Sequence, residues 1–126
     1  MKVSVIIPAY NEGARIKGVI SAVKEAKLPS EIIVVSDGST DDTVKMAQSE
    51  GVNVIELPEN QGKGAAMKAG VCSTDADVYV FIDADLVGLT PDHVDDLIRP
   101  VVEGEGDATL GVFGGGRPTT DLAHKM

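Results

Sequence analysis

Three stretches of this chain are built almost wholly of β-branched and aromatic apolar residues: Val3-Ser4-Val5-Ile6-Ile7, Ile32-Ile33-Val34-Val35 and Val78-Tyr79-Val80-Phe81-Ile82. A strand with one wet face alternates apolar and polar residues. A continuous apolar run needs cover on both faces, which a parallel sheet flanked by helices provides. The segments between these runs supply that cover. From Gly13 to Lys27, Ile16, Val19, Ile20 and Val23 recur at helical spacing, with Lys17, Lys24 and Glu25 on the other side. Leu28-Pro29 ends that helix.

The second strand is expected over Glu31–Ser36, and a helix from Thr43 to Glu50 capped by Gly51. A third, shorter strand follows over Val52–Glu56, then a helix over 62–71, a fourth strand over Asp77–Ile82 and a helix from Pro91 to about Arg99. A fifth strand is expected over Ala108–Phe113. Strands alternating with helices across short connections predict an α/β fold, a mostly parallel sheet with helices on both faces. At 126 residues the chain suffices for a single domain, 1–126, without a linker or internal repeat.

Composition narrows the function classes. Aromatic residues make up 3% of the chain and there is no Trp, so the stacking platforms of single-strand nucleic-acid binders are lacking. A net charge of −9 disfavours non-specific contact with nucleic acid or anionic lipid. A single cysteine, Cys72, permits no internal disulfide, and the apolar run at the start is too short for a signal peptide or membrane span. A cytoplasmic location is the expectation.

In open parallel sheets, ligands sit outside the carboxyl ends of the strands. Those ends here deliver Glu12 after strand one, Asp37 after strand two, and Asp83 and Asp85 after strand four. Like charges gathered at one edge cost energy unless a cation or hydrogen-bond donors offset them. Asp83-Ala84-Asp85, if extended, aims both carboxylates the same way, and hard oxygen donors suit Mg²⁺ or Mn²⁺ with phosphates completing the shell. Two aspartates after a strand also serve as turn formers and helix caps.

In Asp37-Gly38-Ser39-Thr40-Asp41-Asp42, Ser39 and Asp42 have the spacing of a helix cap, and Asp41 and Asp42 favour a helix N-terminus. Asp37 precedes the cap and is expected to be free to hydrogen-bond a base or ribose. Asn60-Gln61-Gly62-Lys63-Gly64 opens a helix with a glycine-bracketed lysine, a local arrangement that suits an anion. It lacks the spacing of a Walker A loop, and Pro8-Ala9-Tyr10-Asn11-Glu12 occupies the place where a dinucleotide-binding glycine motif would stand.

Taken in order, Val3 to Glu12, Val35 to Thr43, Asn60 to Gly64 and Asp83-Ala84-Asp85 resemble the family 2 type of GT-A glycosyltransferase. The resemblance implies a GT-A (Rossmann-like) fold that binds a UDP- or GDP-sugar. It implies that Pro8, Ala9, Tyr10 and Glu12 line the base and ribose, with Asp37 also holding the nucleoside. Lys63 would meet the diphosphate, Asp83 with Ala84 the ribose or sugar side, and Asp85 the Mg²⁺ or Mn²⁺. No catalytic base is identified.

Gly88-Leu89-Thr90-Pro91 and Gly115-Gly116-Arg117-Pro118-Thr119 look like the glucosyl-3-phosphoglycerate synthases and the polyprenyl-phosphate sugar transferases of that family. By that likeness Gly116, Arg117 and Thr119 become acceptor-binding candidates, with Arg117 as a fork for carboxylate or phosphate. An exposed glycine turn carrying an arginine explains the same residues equally well. A lipid-phosphate acceptor would bring peripheral membrane contact.

Family members run on beyond the position of Met126, so the chain is expected to hold the N-terminal nucleotide-binding part, with the C-terminal part of the fold missing. A sheet left incomplete exposes apolar surface, which points to a homo-oligomer. The competing readings are a sugar-phosphate nucleotidyltransferase and a nucleotide-sugar-binding or oligomerisation module without turnover.

Overall fold

The computed structural model describes residues 1–104 and the strand at Leu110–Phe113. The order is β1 (Val3–Ala9), α1 (Ile16–Glu25), β2 (Glu31–Asp37), α2 (Thr43–Ser49), β3 (Asn53–Leu57), α3 (Lys63–Cys72), β4 (Val78–Ile82), α4 (Pro91–Gly104) and β5 (Leu110–Phe113). All neighbouring strands pair in parallel, in the order β3-β2-β1-β4-β5. The parallel α/β architecture expected from the apolar runs is present.

Side-chain alternation divides the core into two layers. Val3, Val5 and Ile7 of β1, Val34 of β2 and Val78, Val80 and Ile82 of β4 pack with Ile16, Val19, Ile20 and Val23 of α1, Ala47 of α2 and Val94, Leu97 and Ile98 of α4. The opposite face presents Ile6, Ile33, Val35, Tyr79 and Phe81 to Ala66 and Met67 of α3. Both faces of the central strands are thus covered, which is why those strands could be apolar throughout.

Two boundaries differ from expectation. The strand expected to stop before Pro8 continues through it to Ala9. β1 pairs with β2 as far as Ala9↔Ser36, but with β4 only as far as Ile6↔Phe81. Pro8 therefore lies where β1 and β4 have parted, and a residue without an N–H fits a stretch with no ladder on that side. The helix expected to end near Arg99 runs through Pro100 to Gly104. Val94, Leu97, Ile98 and Val101 form one buried stripe there, and their packing outweighs the hydrogen bond that Pro100 cannot make.

Candidate functional site

The chain walks from β1 outward to β3, then returns to place β4 on the other side of β1. This reversal is the switch point at which parallel α/β sheets leave a crevice beyond the carboxyl ends of their strands. Here the early parting of β1 and β4 widens it. A cavity of about 330 Å³ lies there, lined by Pro8, Ala9, Tyr10, Glu12, Asp37, Asn60, Gly62, Lys63, Ala66, Asp83, Ala84 and Asp85. Every residue expected to serve the donor or the metal borders this one space. Asn60, Gly62 and Ala66 were not singled out as site residues. Ala66 stands three positions beyond Lys63, so helical spacing alone would have found it.

Asp37 is buried and its carboxylate is not free. Its two oxygens accept the backbone N–H groups of Gln61 at 2.7 Å and Gly62 at 2.9 Å. The end of β2 thereby holds the loop that opens α3 and fixes the base of Lys63. Gly38 makes this contact feasible. Its φ is +71°, and an added Cβ would lie 2.5 Å from the Glu59 carbonyl carbon and still closer to the Asn60 nitrogen. Only glycine accepts both the conformation and the approach.

Lys63 reaches across the crevice, its Nζ 2.5 Å from Asp83 Oδ1. Glu12 faces Arg15 at 3.6 Å. Asp85 is exposed and has no hydrogen-bond or ion-pair partner among the described residues. Three of the four carboxylates are therefore offset by the protein itself, Asp37 through backbone donors, Asp83 through a lysine and Glu12 through an arginine, and Asp85 is left over. Among the described residues no three of His, Cys, Asp and Glu converge as a ready-made metal cage.

The Asp83-Ala84-Asp85 stretch is also not extended as expected. The chain turns at Ala84 and Asp85, and Ala84 is buried in the main core.

The Ser39–Asp42 cap expected for α2 is absent. Asp41, one position before the N-cap residue Asp42, accepts the N–H of Thr43 at 2.9 Å instead, while Ser39 Oγ accepts from the N–H of Asn11. His93 is occupied in a cap of α4. Its N–H donates to Thr90 Oγ1 at 3.2 Å, and its Nδ1 accepts the Thr90 N–H at 3.4 Å. Cys72 is exposed. Gly116, Arg117 and Thr119 lie outside the described residues, as does His124. No helix among the described residues is long and apolar enough to cross a membrane.

Sheet order and crevice together define a Rossmann-like α/β protein of the GT-A kind. The chain belongs to the glycosyl transferase family 2, whose model matches residues 4–126. It is 36% identical to the glucosyl-3-phosphoglycerate synthase of Mycobacterium tuberculosis, over 98% of this chain and 46% of that protein. It is 35% identical to the 4,4'-diaponeurosporenoate glycosyltransferase of Staphylococcus aureus, over 76% of this chain and 27% of the other. A crystal structure of the M. tuberculosis synthase with Mn²⁺ and UDP-glucose superposes with a TM-score of 0.75 at 37% identity, over 82% of this chain and 40% of that one. A second, holding glycerol 3-phosphate as well, gives 0.76. The chain thus spans less than half the length of these relatives.

Proposed function

We propose that this chain is the donor-binding part of a glycosyltransferase that takes a nucleoside-diphosphate sugar with Mg²⁺ or Mn²⁺ and transfers the sugar to a phosphorylated acceptor. The observation that carries this reading is the gathering of Tyr10, Glu12, Asp37, Lys63, Asp83 and Asp85 around one cavity at the switch point. The M. tuberculosis synthase has been crystallised with Mn²⁺, UDP and phosphoglyceric acid, which favours UDP over GDP and a small phosphate over a lipid phosphate.

In this reading Pro8, Ala9 and Tyr10 border the base, with the half-exposed Tyr10 ring as a stacking surface. Glu12 and Asp37 face the ribose and base, and Asp37 has lone pairs to spare beyond the two backbone donors it already serves. Lys63 exchanges Asp83 for the diphosphate. A pair this exposed is worth only about 0.2–1 kcal/mol, so a doubly charged competitor displaces it readily. Freed of Lys63, Asp83 turns to the ribose or sugar.

The donor set fits a hard divalent cation. Asp85 offers an uncommitted carboxylate at the rim, and ions of this kind take one or two carboxylates and complete their shell with phosphate oxygens. Bound there, the metal would supply Lewis-acid stabilisation of the departing nucleoside diphosphate. Lys63 supplies further positive charge where negative charge develops as the glycosidic bond breaks. Gly116, Arg117 and Thr119 are the proposed acceptor contacts. Family membership favours sugar transfer over nucleotidyl transfer, which would release pyrophosphate.

Calorimetric titration of UDP in the presence and absence of MnCl₂ tests the reading. Binding that requires Mn²⁺ is expected. A chain that takes up no UDP at any Mn²⁺ concentration would overturn it.

A further inference from the structure

We propose that Asn11, Asp41 and Thr43 are positioning residues that set the pose of Tyr10 and Glu12 by lacing the β1–α1 turn to the β2–α2 turn. This rests on the nucleotide reading of the crevice for what that pose serves. Asn11 has a φ of +53°, the only positive value at a non-glycine position among the described residues. That conformation is strained for most side chains and least so for Asn.

Its cause lies across the gap. The Asn11 N–H donates to Ser39 Oγ at 3.1 Å, and its Oδ1 accepts the N–H groups of Thr40 at 2.7 Å and Asp41 at 3.3 Å. The next two residues continue the pattern. Glu12 N–H donates to Thr43 Oγ1 at 2.9 Å, and Gly13 N–H to Asp41 Oδ2 at 3.2 Å. Three successive backbone donors of one turn thus end on three side chains of the other. The fully buried Thr43 closes the set by donating its hydroxyl proton to Asp41 Oδ1. The turns are also in contact, since a Cβ on Gly13 would strike the Asp42 carboxylate.

Tyr10 and Glu12 flank Asn11, and neither side chain is held firmly by anything else. Tyr10 makes no side-chain hydrogen bond among the described residues, and Glu12 has only the 3.6 Å approach of Arg15. Their placement in the crevice is therefore set through the main chain, and the main chain is set by the lacing.

The test compares Asn11→Gly, Thr43→Val and Thr43→Ser in the full chain. Asn11→Gly keeps the backbone conformation and removes the acceptor. Thr43→Val removes the hydroxyl at constant shape, and Thr43→Ser restores it. Amide hydrogen exchange without ligand should quicken at residues 11–13 in the first two variants while β1 stays protected. UDP affinity with MnCl₂ should fall about tenfold in both, as expected for one or two lost hydrogen bonds, and return to within about twofold in Thr43→Ser. Affinity for Mn²⁺ alone should not move. Unchanged exchange at 11–13, or unchanged UDP affinity despite faster exchange, would overturn this inference alone. Failure of the unmodified chain to bind UDP would overturn the nucleotide reading and, with it, this use of the lacing.

Discussion

On one side of the crevice, after β1 and β2, Asn11, Glu12 and Gly13 each give their N–H to a side chain of the neighbouring turn, and Asp37 holds the start of α3 by two more such bonds. On the other side, after β4, the turn is secured by apolar burial. Ala84 and Leu86 sit in the core, while Asp85 and Val87 project into solvent between and beyond them. One wall has its backbone N–H groups and the Asp37 carboxylate satisfied within the protein. The other leaves a carboxylate unspent. A rigid, prepaired wall suits recognition of a fixed shape such as a base and ribose. An unsatisfied carboxylate on an anchored turn suits a charge that arrives with the ligand.

The comparison can be broken most severely at Gly38. Gly38→Ala forces a Cβ into the Glu59–Asn60 backbone at a φ of +71°, which should cost about 3 kcal/mol or more in urea unfolding. Next comes the open wall. Asp85→Ala should lower Mn²⁺-dependent UDP affinity by about 100-fold, at least the upper end of what loss of a supporting residue costs at a metal site, while leaving the ligand-free melting temperature unchanged. A large loss of stability instead would show that Asp85 has a structural partner.

Asp95, at the other end of the sheet, sharpens the contrast. Its buried carboxylate accepts the N–H groups of Lys27 and Leu28, so Asp95→Ala should cost about 2 kcal/mol in stability with UDP affinity unaltered. Lys63→Met should weaken UDP binding by about tenfold, roughly the worth of one charge-assisted hydrogen bond, while binding of Mn²⁺ alone holds or improves because Asp83 is released. Calorimetry separates the two effects.

The smallest effect concerns pH. The Thr43 hydroxyl, helped by the N–H groups of Thr43 and Gly13, holds the Asp41 carboxyl below its ordinary value of 3.8. A carboxyl depressed on folding contributes stability above its unfolded-state value and loses it as pH falls through the folded one. The stability gap between the native chain and Asp41→Asn should therefore be constant from pH 7 to about 4 and narrow only below that. Urea midpoints at pH 7 and pH 3 provide the measurement.

Much of the architecture was legible because it rests on local pattern. Apolar runs such as Val78–Ile82 are long enough to demand cover on both faces, and the stripe of Ile16, Val19, Ile20 and Val23 supplies it at helical spacing. The position of the crevice and the residues that border it followed too, since strand ends in a parallel sheet share one edge. The misreadings have a common origin. Pro8 and Pro100 break elements by intrinsic preference, but a parted strand and a buried stripe override that preference. Asp37 reads as a free carboxylate because the donors that occupy it lie 24 and 25 residues further on.

The sequence by itself determined which segments are strands and helices, that the sheet is parallel, and which acidic and basic residues stand at its carboxyl ends, because periodicity and chain order carry that information locally. Only the tertiary structure decided how those charges are spent. Pairing Asp37 with backbone N–H groups, Asp83 with Lys63 and Asp41 with Thr43 and Gly13, while leaving Asp85 without a partner among the described residues, depends on which loops meet in space. Loop meetings are fixed by strand order and register, and neither is written in any single segment.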